Sequence, residues 1–272
     1  TEAQIRFTNG KEWLTTSSAY SAHETGFRIW HDDIIGDIHG HADELVELLA
    51  KLGYEESSQV FRHATRKAIF CGDFIDRGPR IRDTIEIARR MCEGDAALAV
   101  MGNHEFNALA FHTPHPLRAG EYLRPHTDRN IHLHQATLRQ LDAKDLALAL
   151  DWFRTLPVTV DPGPLRVVHA CWDPRELQII ESAAAECGYM TPAFLSPAMQ
   201  SGNPVFDAIE RVIKGPEMRL PKGFSISEEK ATVVHRLAQV LQRLGKVPGL
   251  LVLEAERVAQ ERAIARRAEQ LF

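Results

Sequence analysis

Asp33-Ile34-Ile35-Gly36-Asp37-Ile38-His39-Gly40 is a short apolar run that ends in glycine, carboxylate and imidazole. A run of this length, bounded by a turn signal, reads as a buried strand. Next, Ala42, Leu45, Val46, Leu49 and Leu52 fall at helical spacing, and Gly53 closes the helix. The pattern repeats. Lys67–Cys71 is a second strand, followed by a helix with Ile81, Ile85, Ala88 and Cys92 on one face. Ala97–Met101 is a third strand, and a third helix begins near His104. This βαβαβα alternation implies an α/β fold with a parallel sheet and right-handed crossovers.

Outward from this core the signals weaken. Residues 1–31 read as an N-terminal extension with one short strand, marked by turn formers such as Thr15-Thr16-Ser17-Ser18. Residues 112–135 read as loop and hold five histidines: His112, His115, His126, His132 and His134. Asp145–Leu156 reads as an amphipathic helix stopped by Pro157. Val158–Val160, the turn Asp161-Pro162-Gly163-Pro164 and Leu165–His169 read as a β-hairpin. Phe206, Ile209, Val212 and Ile213 mark another helix, and Val233, Val234, Leu237, Val240, Leu241 and Leu244 form a further stripe. Gly249–Leu253 is the late strand candidate. Glu254–Leu271 is an Ala/Arg/Glu-rich helix, either solvated or docking a partner or a second protomer. We therefore expect an extension over 1–31, a main domain over 32–225 and a helical segment over 226–272.

Composition narrows the class. The chain has 272 residues, 44% hydrophobic and 25% charged, enough to bury a core without disulfide staples. No apolar run spans a membrane, and Thr1–Gly10 lacks a signal core, so a cytoplasmic protein is expected. Cys71, Cys92, Cys171 and Cys187 show no C-x-x-C spacing and read as reduced thiols. Net charge is −5, which gives no reason to expect nucleic-acid binding.

Each of the three strands ends in a polar cluster: Gly36–Gly40, Gly72–Gly78 and Gly102–Glu105. Ligands bind at the carboxyl ends of strands in open α/β sheets, so these clusters converge. They supply Asp, His, Asp, Asn and His, a donor set suited to divalent metals. His169, at the end of a later strand, offers a further ligand. Taken singly, Asp37 and Asp73 read as helix N-caps, His104 as a helix-start histidine, Arg77 as a surface arginine and His169 as a core histidine. Taken with His39 and Asn103 at three strand ends, they read as a metal site. His41 either lines that site or faces solvent, and Trp172 either walls it or packs in the core. Cys71 and Cys171 read as packing residues, and Met101 as core.

The ordered set GDIHG, GDFIDRG, GNHE and a later strand-end histidine resembles the calcineurin-like metallophosphoesterases. The likeness is greatest to the branch holding bacterial Ser/Thr phosphatases and symmetrical dinucleoside-tetraphosphatases, and it covers about Asp33 to Asp173. It implies a β-sandwich flanked by helices, here with a divergent helical C-terminal part. It implies two divalent ions (Mn, Fe or Zn), with Asp37 and His39 on the first, Asp73 bridging, and Asn103 and His169 on the second. His104 would be the general acid, oriented by Asp76. Arg77 would hold phosphate oxygens, with Asn103 also facing substrate. The implied activity is hydrolysis of phosphomonoesters, phosphoproteins among them, by direct attack of a metal-bound hydroxide.

Two departures keep alternatives open. Met101 stands where protein phosphatases carry an arginine, which resembles the dinucleoside-tetraphosphatases, whereas Asp76 resembles the phosphatases. The family's late Gly-His motif has no counterpart, because His235, the one histidine after His169, reads as mid-helix. The alternatives are a dinucleoside polyphosphate hydrolase, or a phosphate-binding member with an incomplete second metal site.

Overall fold

The buried runs read from the sequence lie side by side in the computed structural model, which describes residues 15–17, 32–161 and 166–215. In chain order the elements are β1 Thr15–Ser17, β2 Asp33–Ile35, α1 Ala42–Lys51, β3 Glu55–Ser57, β4 Val60–Arg62, β5 Ala68–Phe70, α2 Ile81–Glu93 and β6 Ala97–Ala99. They continue as α3 Asn103–His112, α4 Asp128–Gln140, α5 Ala143–Thr155, β7 Thr159–Val160, β8 Val167–Val168, α6 Pro174–Cys187, α7 Pro192–Ala198 and α8 Pro204–Lys214.

The sheet order is β1-β2-β5-β6, with β2, β5 and β6 parallel and β1 antiparallel at the edge. Register places Ile34, Ile69 and Leu98 in one row across the three parallel strands. Side chains alternate across a sheet, so the neighbouring rows point the other way. Ile35, Phe70 and Ala99 join Leu45, Leu49, Ile85 and Met91 in the main helix-covered core. On the opposite face Ile69 and Val100 meet Val167, with Ile34, Leu98 and Val160 packed around them. The antiparallel pair β7–β8 thus supplies a second β layer over the sheet, and with the flanking helices the arrangement is the α/β layering expected from the sequence.

The strands are short because the chain leaves each ladder to form a loop, and those loops make the site. Helices take over from capped starts. Asp142 accepts from Lys144 N and Asp145 N to open α5, and Asn203 accepts from Val205 N to open α8. Val212 O in α8 receives Ala170 N and Cys171 N, which ties the segment after His169 to the helical side.

Three readings change. Residues 112–135 are not all loop: His112 ends α3, while His132 and His134 sit in α4. Thr127 caps that helix, receiving Asn130 N, where the histidine-rich composition hid its start. The β3–β4 hairpin was not anticipated, because Ser58 and Gln59 both adopt positive φ without a glycine to signal the turn. Helices α6 and α7 were not anticipated either.

The 225/226 boundary, His235, the 233–244 stripe, Gly249–Leu253, the terminal helix and most of the N-terminal extension lie outside the described residues. Among the described residues no helix is long and apolar enough to cross a membrane. The four cysteines are free.

Candidate metal and phosphate centre

Two loops interlock at the strand ends. Ile38 N and His39 N both donate to Asp73 O, at 3.1 and 2.8 Å, and Gly40 N donates to Phe74 O at 2.8 Å. Gly78 N returns to His39 O at 2.8 Å. The approach is close enough that a Cβ on Gly78 would lie 2.1 Å from His39 O. His39, Asp73, Asp76 and Arg77 all take left-handed backbone, with φ of 48°, 56°, 66° and 66°. Non-glycine residues persist there only when their surroundings hold them.

Glu105 provides much of that hold. Its buried carboxylate accepts Asp73 N (2.8 Å) and Gly102 N (3.2 Å) on Oε2, and Phe74 N (2.8 Å) and Ile75 N (3.3 Å) on Oε1. Burial and the Asp73 charge push its pKa up to about 7. The four backbone N–H donors act against that rise and favour the ionised form. Glu105 belongs to the quoted GNHE stretch, yet its structural role was not read from the sequence. A Glu at the third position of a helix is the signal that pointed to it.

Asp73 sits at the centre. Oδ1 caps α3 by accepting His104 N at 3.0 Å, so the N-cap reading holds in part, but for a neighbouring helix. Oδ2 faces three imidazoles: His169 Nε2 at 3.6 Å, His39 Nε2 at 3.7 Å and His104 Nε2 at 4.0 Å. Burial would raise the Asp73 pKa, and the charges of His169, His104 and His39 outweigh it and hold the carboxyl low. Asp37 is half exposed and brings Oδ2 to 3.9 Å from His39 Nε2.

The ring tautomers show what the residues can hold. His39 Nδ1 donates to Ile75 O at 2.8 Å, which leaves Nε2 with its lone pair, buried and without a hydrogen bond. His169 Nδ1 donates to Cys71 O at 2.5 Å, and its Nε2 lies 3.1 Å from Asn103 Oδ1. A buried lone pair on His39 Nε2, 3.7 Å from Asp73 Oδ2 and 3.9 Å from Asp37 Oδ2 and so too far for a hydrogen bond, is what a cation satisfies. Two triads bring ligand atoms within 4.8 Å of one another, His39–Asp73–His104 and Asp37–Asp73–His169, with Asp73 common to both. Backbone carbonyls fix both imidazoles, as outer-shell partners of metal-binding histidines do. The described residues therefore fit divalent metal.

A second assembly adjoins this one. His104 Nδ1 donates to Asp76 Oδ2 at 2.6 Å, and Arg77 Nη2 lies 3.5 Å from His104 Nε2. Burial opposes a charged His104, and Asp73 and Asp76 override it, so its pKa rises. Asp76 is held low despite burial, by hydrogen bonds from His104 and His134. His134 and Thr137 were not anticipated near the site. They lie 58 and 61 residues from Asp76 in the chain.

The remaining candidates sit apart. His41 pairs with Glu44 at 3.4 Å on α1. Met101 is fully buried core. Trp172 is partly buried against the core with Arg166 over its ring. Burial pushes the Cys71 thiol up to about 12, as suits a packing residue whose carbonyl does the positioning.

A family model described as calcineurin-like phosphoesterase matches residues 33–174. The asymmetrical bis(5'-nucleosyl)-tetraphosphatase PrpE of Geobacillus sp. (strain WCH70) is 48% identical over 73 residues, 26% of this chain and 30% of that protein. The symmetrical bis(5'-nucleosyl)-tetraphosphatase of Hamiltonella defensa subsp. Acyrthosiphon pisum (strain 5AT) is 31% identical over 170 residues, 60% of this chain and 54% of that protein. A cold-active protein-tyrosine phosphatase of a psychrophilic Shewanella sp. superposes with a TM-score of 0.44 at 15% identity, over 76% of this chain and 62% of that one. The chain spans about half or less of the length of these two curated relatives.

Proposed function

Because the chain belongs to the calcineurin-like phosphoesterase family, we propose that it hydrolyses phosphoric esters, phosphomonoesters first, with water as the acceptor. The observation that carries this is Asp73 Oδ2, which three ring nitrogens from separate strand ends approach within 4.0 Å. In this reading Asp37, His39 and Asp73 would hold one divalent ion, and Asp73, Asn103 and His169 would hold a second. Mn, Fe and Zn all suit this oxygen and nitrogen donor set. When bound, such ions polarise a phosphoryl group and acidify water.

The protein's own residues do the rest. Arg77 lies beside His104 Nε2 and offers its planar fork to phosphate oxygens. As the phosphorus–oxygen bond breaks, the leaving oxygen takes the proton from His104 Nε2. Asp76 Oδ2 holds the other ring nitrogen at 2.6 Å, orienting the ring and stabilising its charged form. The products are an alcohol and inorganic phosphate.

A second reading, hydrolysis of dinucleoside tetraphosphates, is favoured by the names of the relatives and by buried Met101 in place of an arginine. One assay separates the two. Phosphate release from p-nitrophenyl phosphate and nucleotide release from diadenosine tetraphosphate are measured with Mn supplied, for the wild type and Asp73→Asn. Mn-dependent phosphate release that Asp73→Asn abolishes supports the first reading. Faster turnover of the dinucleotide supports the second, and turnover of neither by metal-loaded wild type refutes both.

A further inference from the structure

Helix α4 grips the loop that carries Asp76. His134, Thr137 and Gln140 recur at three-residue spacing and so share a face. His134 Nδ1 donates to Asp76 Oδ1 at 2.9 Å. Thr137 Oγ1 donates to the same oxygen at 2.5 Å and accepts Asp76 N at 3.1 Å. Gln140 accepts Ile81 N and donates to Gly78 O, both at 2.8 Å. His134 and Thr137 are buried. Behind them, His112 Nε2 at the end of α3 meets His134 Nε2 at 3.2 Å. The Phe111 ring packs 5.2 Å from the His134 ring.

We propose that His134 is a positioning residue for the proton donor: it fixes Asp76 so that the His104 ring presents Nε2 to the leaving oxygen. The hydrogen bonds set a direction along the chain of groups. Asp76, as a carboxylate, can only accept, so His134 carries a proton on Nδ1. In neutral His134, Nε2 then accepts from His112 Nε2–H. With Oδ1 filled by His134 and Thr137, Oδ2 is left to His104 Nδ1 among the described residues. The ring of His104 is thereby held in one plane, with one nitrogen outward. Without His134, Asp76 turns its carboxylate toward Thr137, and the acid loses its fixed aim. A positioned acid matters most where the leaving oxygen is a strong base.

This inference rests on the phosphoesterase reading above, and the test keeps the two apart. Hydrolysis of phenyl phosphate, whose leaving group needs a proton, is compared with that of p-nitrophenyl phosphate, whose leaving group needs little help. In His134→Leu the ratio of the two kcat values should fall about tenfold, a part of what general acid catalysis supplies. His134→Asn, which returns an N–H donor near Nδ1, should restore most of the ratio. Should His134→Leu not fold, Thr137→Val removes the other donor to the same oxygen and is read in the same way. A purely structural role lowers both rates together, so an unchanged ratio in these variants overturns the proposal. Ring-nitrogen NMR of the wild type gives a readout that needs no turnover: His134 should be the Nδ1-protonated form. An Nε2–H tautomer with a bare Nδ1 refutes the proposal whatever the activity. An inactive wild type counts against the phosphoesterase reading instead.

Discussion

Glu105→Gln exchanges one atom, and the structure says it should be costly. Each Glu105 oxygen accepts two backbone N–H groups, from Asp73 and Gly102 on one side and from Phe74 and Ile75 on the other. An amide keeps one acceptor and turns an NH2 toward the other two donors. Two buried N–H groups then lose their partner, at about 1–3 kcal/mol each, or about 2–6 kcal/mol together. Against a typical stability of about 5–15 kcal/mol that is a large fraction. The damage also falls on Asp73, whose left-handed backbone depends on the bonds that Glu105 makes. Urea unfolding monitored by circular dichroism measures the loss, and metal content of the same samples reads the second effect. A loss of about 2–6 kcal/mol together with weaker metal retention is expected. A variant within about 1 kcal/mol of wild type would show that water or backbone movement replaces the carboxylate and that Glu105 does not hold these loops.

Further predictions test separate parts. Gly78→Ala places a Cβ 2.1 Å from His39 O, against backbone that cannot yield; overpacking should lower stability by about 1–3 kcal/mol in urea unfolding and weaken metal binding together. The His112 pKa is pushed down to about 4 by burial and by neighbouring His134 and His126, against an ordinary 6.5. In that window the unfolded chain takes up a proton that the folded chain refuses, so stability falls as pH drops from about 6.5 toward 4 and is full above 6.5. Unfolding followed across that range should show a smaller pH slope in His112→Gln, and an identical slope would remove His112 as a cause. Asp142→Ala leaves Lys144 N and Asp145 N uncapped and should lower stability by about 1 kcal/mol while leaving p-nitrophenyl phosphate hydrolysis equal to that of the wild type.

The parallel core was legible because buried strands and amphipathic helices carry strong periodic signals. Asp33–Ile38, Lys67–Cys71 and Ala97–Met101 each contain an observed strand. Strand-end placement then brought Asp37, His39, Asp73, Asn103, His104 and His169 within reach of one another, as the distances show. What stayed hidden has physical reasons. The polar β3 strand, Glu55–Ser57, is exposed and lacks an alternating pattern. Helix α4 carries few apolar residues, so its hydrophobic stripe is faint, and its buried face is chosen by polar bonds to a distant loop. His134 reads as one histidine among thirteen. Nothing local marks it, because its role is defined by Asp76, 58 residues earlier.

We propose that strand-end side chains around Asp73 hold divalent metal for phosphoester hydrolysis. The most direct test counts bound metal per chain in the wild type and in Asp73→Asn, and measures p-nitrophenyl phosphate hydrolysis in the same samples. Two ions per wild-type chain, a loss of metal in Asp73→Asn, and hydrolysis that follows the metal are expected. Equal metal content in the two proteins, or hydrolysis that Asp73→Asn leaves intact, would contradict it.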